Sequence, residues 1–161
     1  MAVPTHVVNA MDYETWIGPD KALYSFRTPL DALDGRTRYA RVMWRLPRPG
    51  WEQDFTDAEI ADAKTAFLQV GGSAQEMTVE VRLPGGQGRT GLFTVGRSPA
   101  ADLTSPPSVT IHVGEYPTRV YPNEVFAAAE AADIWFYYYK NGTVPPSYAL
   151  RPIGNGEDQT G

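Results

Sequence analysis

Glu130 and Asp133 are the first residues whose types and spacing offer chemistry. They stand three apart on a helical segment. A carboxylate pair so placed does acid–base work or holds a divalent cation. A solvated polar face has the same spacing, and Lys140 shares that face. The histidines are His6 and His112. His112 lies on a strand, on the face opposite Val109, Ile111 and Val113. As a general base it needs a nucleophile or an acid beside it, and the sequence places neither there. No pair of histidines has a helical metal-ligand spacing. Gly86-Gln-Gly88-Arg-Thr-Gly91 spells G-x-G-x-x-G. A dinucleotide site needs a helix after that motif, so that the pyrophosphate meets the helix N-terminus. A strand follows here, and the glycines read as hairpin-turn residues. Asn141-Gly-Thr143 matches a glycosylation sequon, but at this place it reads as the end of a helix. These residues make no catalytic constellation, and the expectation is a non-enzyme that uses no cofactor and no metal.

Two loops offer recognition instead. Trp51-Glu52-Gln53-Asp54 sets an aromatic beside two acids, and Glu115-Tyr116 repeats the combination in a hairpin turn. Aromatic and charged side chains on loops of a rigid scaffold are common interface material. Trp51, Glu52, Asp54, Glu115 and Tyr116 are therefore candidate partner contacts. The competing reading packs Trp51 against the first turn of a neighbouring helix.

The positioning elements centre on 108–153, which reads strand, turn, strand, helix, Gly stop, Pro-Pro and last strand. The helix runs through Glu124–Lys140, with Asn123 as cap or with a start near Ala128. Val125, Ala129, Ala132, Phe136 and Tyr139 recur at steps of four and three, and Ala128 and Trp135 widen that stripe. Ile134 and Tyr138 fit neither the apolar nor the polar face. They imply a second packed surface, in this chain or in a partner, and join the candidate partner contacts. Asn141-Gly142 and Pro145-Pro146 end the helix.

Upstream, Thr56 and Glu59 form a capping box, with Phe55 and Ile60 as hydrophobic staple. The helix they open is expected to bury Ile60, Ala63, Phe67 and Val70 and to stop at Gly71-Gly72. Tyr39–Leu46 reads as a strand with Ala40, Val42, Trp44 and Leu46 on one side and Arg41, Met43 and Arg45 on the other. Met77–Leu83 and Thr90–Val95 form a hairpin, with Met77, Val79, Val81 and Leu83 inward. Val109–Val113 pairs with Thr118–Tyr121, and Ser147–Ile153 closes the chain. Short strands are expected at His6–Val8 and Ala22–Phe26. The fold class is α+β: a mainly antiparallel sheet of hairpins with two helices packed on one face. One domain is expected over 1–154, with 1–50 as a possible N-terminal addition packed on it and 155–161 as a flexible tail.

Bulk properties narrow the function. The chain has 161 residues, 42% hydrophobic and 20% charged, as ordinary globular proteins do. Fourteen basic and nineteen acidic residues leave a net charge of −5. Nucleic-acid binders need basic surfaces, so nucleic acid is not an expected partner, whereas a basic protein is. No Cys is present, in keeping with a reducing compartment. No apolar run approaches the roughly 20 residues of a membrane span. The first ten residues lack the features of a signal peptide. The expected location is the cytoplasm.

The last third, taken as a phrase, resembles the Imm1 immunity proteins of bacterial polymorphic toxin systems, in particular their actinobacterial branch. The residues that carry the resemblance are Val109-Thr-Ile-His-Val113, Val120-Tyr-Pro-Asn-Glu-Val-Phe126, Glu130-Ala-Ala-Asp-Ile-Trp-Phe136, Tyr138-Tyr139 and Thr143-Val-Pro-Pro-Ser-Tyr-Ala-Leu-Arg151. The match is strongest over 77–153 and extends back to Thr56. These are scaffold phrases, and they bring no catalytic set with them. The resemblance implies a cytoplasmic protein that binds and blocks a cognate protein toxin, in several settings one of deaminase type; a nuclease-type toxin is the other expected partner, and a monomer is expected over a homo-oligomer. The alternatives are a structural or adaptor protein, with Ile134 and Tyr138 in a self-interface, and a small carboxylate enzyme built on Glu130 and Asp133.

Overall fold

The structure is a computed structural model that describes residues 2–84 and 91–153. Seven strands form one antiparallel sheet in the order β2-β1-β3-β4-β5-β6-β9. They are β1 (His6–Asn9), β2 (Glu14–Ile17), β3 (Ala40–Arg45), β4 (Phe67–Gly72), β5 (Met77–Leu83), β6 (Gly91–Gly96) and β9 (Ala149–Pro152). A separate hairpin pairs β7 (Val109–Val113) with β8 (Tyr116–Val120). The helices are α1 (Leu23–Asp31), α2 (Asp57–Ala63) and α3 (Ala128–Asn141). The α+β class stands. Residues before 50 supply β1, β2 and β3, of which β1 and β3 are interior strands of the sheet. The hairpin between β5 and β6 is as expected; its turn, 85–90, and the tail, 155–161, lie outside the described residues.

The sheet has apolar side chains on both faces, which is why β3 reads ambiguously. Met43 pairs with Leu68, and Leu68 with Val81, so these share one face. With Val70, Val79 and Val95 they form the main core beneath α1 and α3. Trp44 and Leu46 point the other way and, with Val7, make a smaller cluster. Phe55, Ile60 and Ala63 pack on that second face, so α2 sits opposite α1 and α3. Two helices do share a face, but one of them is α1, in a segment expected to be strand. Met43, expected to face away from the core, is fully buried in it.

The capping box forms as expected. The Thr56 hydroxyl accepts the Glu59 N–H at 3.1 Å, and Glu59 accepts the Thr56 N–H at 2.9 Å. The helix does not run on to Val70. It ends at Ala63, and Phe67–Gly72 is β4, paired on both sides. Gly71 and Gly72 do not stop a helix. A Cβ on Gly71 would lie 3.0 Å from Val113, so the glycine lets the β7–β8 hairpin close on the sheet.

α3 begins at Ala128, the later of the two starts considered, after Phe126 has bridged to Met77 by two backbone hydrogen bonds. It ends at Gly142, whose φ of 75° is the left-handed conformation glycine adopts at low cost. Its buried side is Ala128, Ala131, Ala132, Ile134, Trp135, Tyr138 and Tyr139. The expected stripe is thus displaced. Ala129 is exposed, whereas Ile134 and Tyr138 are inside, at 0% and 3% exposure. Phe26 of α1 meets Trp135, Phe136 and Tyr139, one flank of this arc. Ile134 and Tyr138 form the other flank, in the cluster that holds the sheet residues. The second packed surface lies in this chain, and neither residue can touch a partner.

Candidate functional site

The Glu130 carboxylate of α3 is held by two side chains. Glu130 accepts from Arg97 Nη2 at 2.7 Å and Nε at 3.0 Å, and from the Tyr148 hydroxyl at 2.9 Å. Burial, and then the Glu130 hydrogen bond, push the Tyr148 phenol up to about 12. Asp133 is exposed and takes no part. One turn before the helix, Glu124 is 2% exposed and is held by Arg151 Nε at 2.7 Å, Arg151 Nη2 at 2.9 Å and the Tyr121 N–H at 2.9 Å. The polar markers of 120–151 therefore bond to one another: Glu124 with Arg151, and Glu130 with Tyr148. They tie the helix to the last strand, and their acceptors are engaged.

The histidines are separated. His6 is buried against Tyr139, with ring centroids 4.7 Å apart, and its Nδ1 lies 2.8 Å from the Thr5 hydroxyl. Burial, aided by the charge of Arg45, lowers its pKa to about 4, so the ring is neutral near pH 7. His112 is exposed on the outer side of the β7–β8 hairpin. Among the described residues no three His, Asp or Glu gather as a metal site.

The loops answer differently. Glu52–Asp54 is one 3-10 turn, pinned by the Asp54 carboxylate, which accepts the Trp51 N–H at 2.8 Å. Trp51 is 40% exposed, and Glu52 and Asp54 are exposed beside it. The turn leads into Phe55, which lies 6.2 Å from Trp16 on the second face of the sheet. Asp57 and Asp62 of α2 add exposed charge, while Glu59 is taken up by Arg48 at 2.7 Å. Tyr116 is 72% exposed and Glu115 is exposed beside it.

The two loops are not adjacent. The Gly114 N–H bonds Gly35 at 3.0 Å, near the start of β3, while the Gly50 N–H bonds Pro4 at 3.0 Å, beyond its end. They are separated by at least the length of β3, roughly 20 Å at strand rise. They do share a sheet face, because α2 and the β7–β8 hairpin both pack on the side of Trp44 and Gly71. A standard interface covers about 800 Å² of each partner, wide enough for both loops.

The floor between them contains a pair that the alternation of β5 did not reveal. Gln69 Nε2 donates to Glu80 at 2.6 Å, and burial raises the Glu80 carboxyl above its ordinary range. Thr78, expected outward, is 4% exposed, because the hairpin covers it. The face thus presents an acidic, aromatic end at Trp51, a polar floor at Gln69 and Glu80, and a second aromatic end at Tyr116.

Compared with protein-family models, curated proteins and solved structures, the chain matches none.

Proposed function

We propose that the protein is an immunity protein that binds a cognate bacterial toxin domain and occludes its active site. The observation that carries this reading is the sheet face with Trp51, Glu52, Asp54 and Asp57 exposed at one end and Glu115 and Tyr116 at the other. Toxins that act on nucleic acids need basic clefts. An acidic face steers such a cleft into encounter, and aromatic anchors slow its release. The resemblance of 77–153 to the Imm1 proteins supports the same reading. Its polar markers are absorbed by the scaffold, which leaves the loops free to vary with the partner.

The adaptor alternative drew on Ile134 and Tyr138, and both are core residues. The carboxylate-enzyme alternative drew on Glu130 and Asp133; Glu130 is occupied by Arg97 and Tyr148, and Asp133 is exposed and makes no hydrogen bond with it. The proposed partner is therefore a protein, bound by a monomer in the cytoplasm without cofactor. The test is co-expression with the toxin domain encoded by the adjacent upstream gene. Restored growth and one-to-one inhibition of the purified toxin are expected, and both should weaken in Trp51→Ala. Full toxin activity in the presence of a several-fold excess of folded protein would refute the proposal.

A further inference from the structure

On the opposite face of the sheet, a cavity of about 270 Å³ opens between α1, α3 and strands β1 to β3. Its walls are apolar where Phe26, Leu30 and Trp135 contribute. Lys21 lines it and is exposed, as is Tyr13 at 56%, so these mark its mouth. Arg41 comes from β3 and Trp135 from α3.

Two donors on residues that line this cavity have no acceptor. Among the described residues, Arg41 Nε and Trp135 Nε1 are buried N–H groups with no hydrogen-bond partner. Trp135 as a whole is 2% exposed. A buried donor left unpaired is costly, and a charged one more so, so such groups call for an explanation. Both belong to residues lining the same cavity, Lys21 adds a second cation, and among the described residues no carboxylate lines it. In a chain of net charge −5, a cavity with two cations and no acid is a local reversal of sign. A neutral ligand can accept from these donors but leaves the guanidinium and ammonium charges uncompensated. A carboxylate brings two oxygens that match a guanidinium and an indole N–H together.

We propose that this cavity binds a small organic carboxylate with an apolar, ring-sized body. The carboxylate meets Arg41 and the Trp135 indole, and the body rests on Phe26 and Leu30. The site is on the other side of the sheet from the face proposed for the toxin, so either proposal stands or falls without the other.

Benzoate is the probe. In ¹H–¹⁵N spectra of the full chain, the Trp135 indole resonance, assigned by its loss in Trp135→Phe, should shift on titration. The expected Kd is below about 1 mM, within reach of so small a ligand. Benzamide, its neutral analogue, should bind at least tenfold more weakly to the unmodified protein, a comparison that needs no variant to fold. Arg41→Gln should lose benzoate binding by a similar factor. The proposal is overturned if 10 mM benzoate leaves the Trp135 resonance in place, or if benzamide binds equally well. It is also overturned if inorganic phosphate shifts that resonance and benzoate does not.

Discussion

Removing Arg151 should destabilise the protein more than removing its partner Glu124, and the structure gives the size of both effects. Glu124 receives three hydrogen bonds, two from Arg151 and one from the Tyr121 N–H, with the carboxylate 2% and the Arg151 side chain 20% exposed. Breaking one partner of a buried pair costs about 3–5 kcal/mol, because the survivor is left desolvated. In Arg151→Met the survivor is the carboxylate, nearly sealed from water and left with one backbone donor. The cost belongs at the upper end, about 4–5 kcal/mol. In Glu124→Leu the survivor is Arg151, which keeps some access to water and lies over the Tyr121 ring at 5.1 Å. Its cost belongs near about 3 kcal/mol. For a chain of this size each kcal/mol moves Tm by roughly 2–4 °C, so the two melts should fall by about 8–20 and 6–12 °C. Urea unfolding at pH 7, followed by far-UV circular dichroism, measures both variants and the double variant. The double should lie well short of the sum, with a coupling of at least about 1.5 kcal/mol. Additive effects within about 0.5 kcal/mol, or a smaller cost for Arg151→Met than for Glu124→Leu, would refute the reasoning.

Further outcomes follow from other sites. His6 has its pKa lowered to about 4, so between the ordinary 6.5 and 4 the unfolded chain binds a proton that the folded chain refuses. Stability should therefore fall as pH drops through that window, by about 3 kcal/mol in all, and level off below it. The difference between wild type and His6→Gln in urea titrations isolates this from Glu80, whose raised pKa acts in the opposite sense over part of the range. Gly142→Ala should cost about 1 kcal/mol, for its φ of 75° alone, since the nearest atom to an added Cβ is the Arg45 side chain at 3.8 Å. Gly72→Ala should cost several times more in the same assay, because its Cβ would lie 2.4 Å from the Glu76 carbonyl oxygen. Trp51→Ala should weaken toxin binding by at least tenfold in calorimetry with Tm unchanged, as expected of an exposed anchor. Raising salt should slow association in stopped flow, and an on-rate indifferent to salt would remove the steering argument.

The parts of the fold legible in the sequence were those with one unambiguous period. Met77–Leu83 and Val109–Val113 alternate strictly and form strands with those bounds. The Thr56–Glu59 box marks a helix start because its two hydrogen bonds are local. The end of that helix was not legible. Ile60, Ala63, Phe67 and Val70 fit a helical period, yet the chain leaves the helix where the Thr65 hydroxyl bonds back to the Asp62 carbonyl at 2.7 Å. α1 was hidden because its cap, Ala22, makes no side-chain hydrogen bond and Pro29 lies inside it. Ile134 and Tyr138 misled because a single stripe describes a helix packed against one surface, and α3 is covered by both α1 and the sheet. Trp51 was legible as a loop aromatic, whereas Tyr116, read as a turn residue, is the first residue of β8, next to the turn. Glu80 was not, because alternation alone says which face a residue takes and not that a hairpin arches over that face.

The order of strands bears on how the protein is made. From β3 to β6 each strand lies beside the next in sequence, so the middle of the sheet can assemble while the chain is still emerging from the ribosome. Its main apolar face cannot be sealed then, because α3 and the Arg151 that clamps Glu124 are synthesised after all four of those strands. A nascent chain stopped between residues 96 and 128 would hold a sheet with Leu68, Val79 and Val81 short of their cover by α3. Release of such a fragment should yield an aggregate and not a folded protein. The sheet would then be sealed only once α3 and Arg151 have been made, whatever the state of the exposed loops at Trp51 and Glu115.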